Sequence, residues 1–338
     1  MKVILYEKEK QIRLAEQEIP VIQDGEVLVR VKACGICATD IKTYLRGHPL
    51  IKPPVVLGHE VSGEITESGS ELFRTGQRVA VAPYVPCGNC YYCRREEFNM
   101  CQNLFANSID PGGFSEYIRV SKKIVEKGMF EFPVELSFSQ ASLTEPLACC
   151  INGLERSSIK VGDQTLVIGD GPIGLMLAHL VKIYGGNVVV SGMNNERLKI
   201  ANSIADKTLD VRKEDISKFI KEKRAGIGFD KVFIAVGFPE LVETALQAVR
   251  KGGYINIFGG LPKGSTLAVD LNQIHYQQVV LDGSFGFMPR QFRLALELLT
   301  NKTIKPDLFI THNVMIEEIE TAFTKSANQE GLKWIVNF

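Results

Sequence analysis

The decapeptide Thr165-Leu166-Val167-Ile168-Gly169-Asp170-Gly171-Pro172-Ile173-Gly174 reads as a short apolar strand running into a GxGxxG turn that opens an apolar helix. The glycine pattern alone is weak, but between a strand and a helix it has the context in which it binds a dinucleotide. The first glycine permits the tight turn, the second lets backbone approach a pyrophosphate, and the third lets helix and strand pack closely. The helix N-terminus adds free N–H groups and a positive dipole end for the phosphates. Gly169, Gly171, Pro172, Ile173 and Gly174 are therefore candidate cofactor-binding residues. A ligand-free βα turn is the alternative.

Working outward, strand-like and helical runs alternate on both sides of this turn. Thr165–Ile168 is followed by the helical run Ile173–Tyr184, Val188–Ser191 by Glu196–Ile204, and Lys207–Val211 by Lys213–Lys223. Lys231–Val236, the helical Glu240–Arg250, Tyr254–Phe258 and Val279–Phe285 continue the series. This is the pattern of a doubly wound parallel sheet, an α/β fold. A helical run Arg290–Thr300 and a strand Trp334–Phe338 follow. The first third reads as β, with Val27, Val29 and Val31 alternating with Leu28, Arg30 and Lys32, and shows no long amphipathic helix.

The second fingerprint position of a dinucleotide site is a carboxylate that ends the second strand and binds the ribose 2′-hydroxyl. The chain has Gly192 there, after Ser191. NAD loses an anchor and a 2′-phosphate meets no repulsion, so NADP is favoured over NAD. No arginine stands next door, and Ser191, Asn194 and Arg197 are the residues that would partly serve.

Length and composition set outer limits. At 338 residues the chain has room for about two domains. Lys plus Arg and Asp plus Glu number 39 each, which argues against a nucleic-acid or anionic-membrane partner held by bulk positive charge. The opening apolar run is too short for a signal peptide, and no stretch approaches the ~20 apolar residues of a membrane span. The expected location is the cytoplasm, where clustered cysteines are metal ligands more often than disulfides.

Eight cysteines are the odd entry in the composition, and Cys87, Cys90, Cys93 and Cys101 crowd into one turn-rich loop. This spacing lets a backbone curl present four sulfurs tetrahedrally to zinc with no position left open, which predicts a structural metal. Two disulfides or a rubredoxin-like iron are the alternatives. Cys37 in Cys34-Gly-Ile-Cys37-Ala-Thr39-Asp40, His59 and Glu60 in Gly58-His59-Glu60, and Glu145 in Thr144-Glu145-Pro146 offer the mixed ligands of an open, catalytic zinc. Spacing leaves a buried cysteine, a satisfied histidine and a capping glutamate equally open.

The segments CGICATD (34–40), GHE (58–60), the four-cysteine lobe, GGFSEY (112–117), TEPLA (144–148), GDGPIG (169–174) and ITH (310–312) decide between them. In this order the chain resembles the zinc-containing medium-chain dehydrogenase/reductase family, and most of all its polyol and threonine dehydrogenase branch. The resemblance implies a GroES-like, β-rich catalytic domain at 1–150 with a structural zinc lobe at 84–104. It also implies a Rossmann dinucleotide-binding domain at 151–287, a return to the catalytic domain at 288–338, and an active site in the cleft between the domains.

It further implies two zinc ions per chain, one of them held by Cys37, His59 and one or both of Glu60 and Glu145. Asp40 would orient the ligand histidine, and Thr39 would take the substrate proton. Many relatives carry a histidine where Lys42 stands; a solvent-facing Lys42 is expected, and His48 lies further along, so the relay past Thr39 is open. The implied reaction is hydride transfer between a secondary alcohol or polyol and NAD(P), in a homodimer or homotetramer. Rival readings are a zinc-free quinone or enoyl reductase of the same fold, or a non-enzymatic zinc-binding protein. Cys34, Cys149 and Cys150 are expected to pack as small apolar residues.

Overall fold

The protein is described here by a computed structural model that covers residues 1–49 and 51–338. It divides into two compact units, Met1–Ala148 with Phe287–Phe338, and Cys149–Gly286. No helix among the described residues is long and apolar enough to cross a membrane.

The second unit holds the expected sheet of six parallel strands. In space the order is Lys207–Asp210, Asn187–Gly192, Gln164–Ile168, Phe229–Ile234, Val249–Ile257 and Val280–Gly283. Leu166, Val167, Val188, Val190, Val232 and Phe233 are buried because helices cover both faces of such a sheet, hence the unbroken apolar runs in the sequence. The helix expected from Lys213 begins instead at Ile216, where Asp215 accepts the N–H of Lys218 at 2.7 Å as N-cap. The helix after Glu240 ends at Ala248, and the next strand takes Val249 onward through the Gly252-Gly253 pair. Helix Leu271–Gln277, capped by Asp270, had no periodic apolar signal because none of its residues is buried.

Arg156 and the phenol of Tyr254 close on Asp282, with contacts of 2.7–3.0 Å. Burial works against the Asp282 carboxylate, yet these partners hold its pKa below the usual value. A depressed folded-state pKa adds stability above the unfolded carboxylate value of ~3.9 and loses it as pH falls through the folded one. Asp282→Asn is expected to cost about 1–2 kcal/mol at pH 7, discounted for the exposed arginine. Urea midpoints of variant and wild type should draw together as pH falls below the unfolded carboxylate value of ~3.9; a gap that widens in acid would contradict the assignment.

The first unit is built on mostly antiparallel β-structure, with Ile310–Met315 and Lys333–Asn337 paired in parallel. Its larger sheet runs Ile310–Met315, Lys333–Asn337, Val27–Gly35, Glu60–Ser68, Arg78–Val81, Met129–Glu131, with Tyr117–Val120 also on Val27–Gly35. Strand Lys333–Asn337 pairs Ile335 with Gly35 and Val336 with Cys34, so residues far along the chain lie beside its first third. Val29, Val31, Ile65, Val79, Phe114, Ile118 and Trp334 share one core. The expectation here is of no long amphipathic helix, and the helix Ala38–Arg46 found in this region has nine residues. Helix Ala38–Arg46 forms because Cys37 and Asp40 make a capping box, a polar signal that apolar periodicity does not register.

Candidate active site

The capping box is where the first site begins. Cys37 Nα donates to Asp40 Oδ2 at 2.9 Å, and Cys37 Sγ accepts the Thr39 N–H at 3.4 Å, so the thiol is held at a helix N-terminus. The other oxygen of the buried Asp40 lies 3.5 Å from His59 Nδ1 and accepts the Gly58 N–H at 3.4 Å. Asp40 therefore fixes the residues on both sides of it. Ligand atoms of Cys37, His59 and Glu60 lie within 4.8 Å of one another. Burial opposes a charged His59 ring, but Asp40 and Cys37 outweigh it and hold the pKa well above the ordinary imidazole value.

Glu60 is fully buried, and its two oxygens have different fates. Oε1 accepts from Lys333 Nζ at 2.5 Å, and the ammonium also donates to the Ile36 carbonyl at 3.0 Å. Oε2 has no hydrogen-bond partner among the described residues. Leaving a buried charged oxygen unmatched is costly, so this orphan among a thiol and an imidazole fits a cation. Glu145, in the first turn of helix Thr144–Arg156, is 6% exposed but stands outside that three-residue cluster. Thr39 is exposed on the first turn beside Cys37. Lys42 does not face solvent as expected: it is half-buried, and burial together with Arg46 lowers its pKa against the pull of Cys37.

The second cluster brings all four lobe cysteines together. Their sulfurs approach at 3.6–3.9 Å, and all are free thiols. A zinc–sulfur bond of about 2.3 Å implies tetrahedron edges of about 3.8 Å, whereas disulfide sulfurs sit about 2 Å apart. The donor set thus fits a metal and rules out the disulfide alternative. Backbone N–H groups of Cys93 and Gln102 push the Cys90 pKa down to about 6, toward the thiolate a metal binds. Tetrahedral sulfur alone does not separate zinc from iron.

The glycine turn has the geometry its sequence predicts. Gly169 has φ of 120°. A Cβ on Gly174 would overlap the Gly169 carbonyl, while nothing stands within 4 Å of the place a Cβ on Gly171 would take. Gly171 caps helix Pro172–Ile183, with Pro172 at its first position. The open space beside Gly171 at a helix N-terminus fits a pyrophosphate.

The ribose end differs from expectation. Ser191 is 2% exposed and turns its hydroxyl to the Val167 carbonyl at 3.4 Å, because it points into the sheet. Asn194 Oδ1 is taken by the N–H groups of Glu196 and Arg197, since Asn194 caps helix Asn195–Ala201. Arg197 is half-buried and its pKa lowered by burial, with Asp170 acting against the shift. Lys333 and Asp170 belong to these sites but were not singled out from the sequence. Lys333 carried no signal, whereas Asp170 stood inside the quoted turn, opposite the missing carboxylate at Gly192.

Comparison with known proteins agrees with this geometry. Residues 23–129 match the alcohol dehydrogenase GroES-like domain, and residues 172–301 match zinc-binding dehydrogenase. The sorbitol dehydrogenase of Halalkalibacterium halodurans is 32% identical, with 98% of each chain covered. A zinc-binding dehydrogenase structure from Sinorhizobium meliloti, bound to NADP, superposes with a TM-score of 0.92 at 30% identity, over 100% of this chain and 99% of that one. An alcohol dehydrogenase structure from Escherichia coli CFT073, complexed with NADH, gives 0.89 at 30% identity, again over 100% and 99%. With both domains matched and its motifs in order along the whole length, the chain belongs to the zinc-binding alcohol dehydrogenase family.

Proposed function

We propose that the protein is a zinc-dependent oxidoreductase that moves hydride between a secondary alcohol or polyol, or the corresponding ketone, and NAD(P). The observation that carries this reading is the unpartnered Glu60 Oε2 set among Cys37 and His59. Cys37, His59 and Glu60 or Glu145 would hold the catalytic zinc, and Cys87, Cys90, Cys93 and Cys101 a structural one. Zinc bound there supplies Lewis-acid polarisation of a substrate oxygen.

The chain's own residues do the rest. Asp40 holds the His59 ring through Nδ1, which leaves Nε2 to face the metal. Thr39, exposed on the same helix turn, would accept the substrate hydroxyl proton while releasing its own hydroxyl proton to solvent. Gly169, Gly171 and Gly174, with Pro172 and Ile173 opening the helix, seat the dinucleotide pyrophosphate. The three-residue cluster speaks against a zinc-free quinone or enoyl reductase, and the zero net charge against a nucleic-acid-binding zinc protein.

Eight free thiols favour a reducing cytoplasm. A homodimer or homotetramer is favoured by the strand Val280–Gly283 at the sheet edge, with Val280, Tyr276 and Leu271 more than half exposed around it.

The test pairs a zinc count with a panel of polyols and secondary alcohols assayed with NAD and with NADP. Two zinc ions per chain and turnover on the panel are the expected result. One zinc ion, confined to the lobe, would overturn it. In the same assay Thr39→Ala should lower turnover at neutral pH about 10²–10⁴-fold if the hydroxyl carries the proton. Wild-type turnover in that variant would remove Thr39 from the reaction.

A further inference from the structure

The glycine turn carries a carboxylate that the dinucleotide reading leaves unused. Asp170, between Gly169 and Gly171, is 9% exposed and leans onto the end of the neighbouring strand Asn187–Gly192. Its Oδ2 accepts the N–H groups of Met193 at 2.9 Å and Asn194 at 2.8 Å. A Cβ on Gly192 would overlap the Asp170 side chain. The glycine that took away the strand-end carboxylate therefore makes room for another one. Both hydrogen bonds of Asp170 fall on Oδ2, and Oδ1 takes none from the described residues.

We propose that Asp170 is the carboxylate that recognises the adenosine ribose, entering from the glycine turn rather than from the strand end, and that it makes the enzyme prefer NAD(H) to NADP(H). The inference rests on the oxidoreductase reading and deepens it. Oδ1 is an acceptor at the strand terminus, where a ribose hydroxyl can donate to it. A 2′-phosphate would bring two negative charges to the same place. The nearby cations do not reverse this. Arg212 is tied to Asp210 at 2.7 Å and to Asn195 at 2.5 Å, and the charge of Arg197 is opposed by Asp170 itself. Asp170 and Asp210 stand against Arg197, Arg212 and Lys213, so the one cation in excess is a lysine 3.7 Å from Asp210 whose side chain is largely exposed. This preference runs against the expectation of NADP drawn from Gly192 alone, and titration with the two dinucleotides decides between them.

Calorimetric titration of the zinc-loaded protein with NADH and with NADPH tests this without an assay of turnover. Wild type should bind NADH at least about tenfold more tightly than NADPH. Asp170→Asn keeps an acceptor for the two N–H groups but removes the charge. It should weaken NADH about 10–100-fold while NADPH holds or tightens. The double variant Asp170→Gly with Gly192→Asp clears the Cβ that a side chain at 192 would meet, returns a carboxylate from the strand side and should restore the NADH preference.

Equal or tighter NADPH binding by wild type, or an NADH/NADPH ratio unmoved in Asp170→Asn, overturns the inference and leaves the oxidoreductase reading in place. Failure of the zinc-loaded protein to bind either dinucleotide overturns both. Should Asp170→Asn not fold, by circular dichroism, the wild-type ratio and the double variant decide.

Discussion

Replacing Cys37 by Ser should remove one of two zinc ions per chain and lower turnover by at least about a thousandfold, while the protein stays folded. The size follows from the several kcal/mol that a Lewis-acid metal contributes, at one factor of ten per 1.36 kcal/mol. Serine is the choice because Cys37 has two jobs. Its sulfur faces His59 and Glu60, and it also caps helix Ala38–Arg46. A serine hydroxyl is a preferred N-cap, so the helix keeps its start while the soft ligand is lost. Metal analysis, thermal unfolding and turnover on the same sample separate the two jobs. A variant that keeps both zinc ions, or most of its activity, would remove Cys37 from the metal set.

The second large effect is on stability. Lys333 and Glu60 are 3% and 0% exposed, and each is the other's ion-pair partner. Burial weakens the charged form of Lys333, yet Glu60 reverses this and raises its pKa. Breaking such a pair from one side leaves an uncompensated buried charge, at about 3–5 kcal/mol. Lys333→Met should show that loss in urea unfolding after chelation, when no metal cation offsets Glu60. Adding Glu60→Gln to it should recover more than half of the loss, because the stranded charge is then gone. A single-variant cost under about 1 kcal/mol would mean that the pair is not holding Glu60 in place.

How much of this was legible in the residues depends on what kind of signal each feature leaves. The parallel sheet announced itself because strands such as Val188–Ser191 are apolar on both faces and the glycine turn interrupts them at a recognisable point. The four lobe cysteines were legible because their sulfurs come from one short loop, so sequence spacing approximates spatial spacing. Cys37, His59 and Glu60 were named from the family's motifs, not from spacing, and only coordinates bring them within 4.8 Å.

Lys333 left no trace, because a lysine 273 residues from its partner looks like any surface lysine. Helix Ala38–Arg46 was missed for a related reason: its start is written in side-chain hydrogen bonds. Asp170 is the most instructive case. Comparing single positions shows a carboxylate lost at Gly192, while the fold shows one arriving from 22 residues earlier.

The pairing of strand Lys333–Asn337 with Val27–Gly35 also sets an order of events during synthesis. Glu60 emerges from the ribosome long before its counter-ion. At about 5–20 residues per second, the 273 residues between Glu60 and Lys333 take roughly 14–55 s to be made. Throughout that interval Glu60 lacks the ammonium that the folded chain sets beside it. The unit Cys149–Gly286, whose sequence lies wholly inside the gap, has its full complement of strands in the meantime. A nascent chain stalled before Lys333 would thus carry a complete dinucleotide turn and a Glu60 without its ion-pair partner, which ties completion of that buried pair to near-completion of translation.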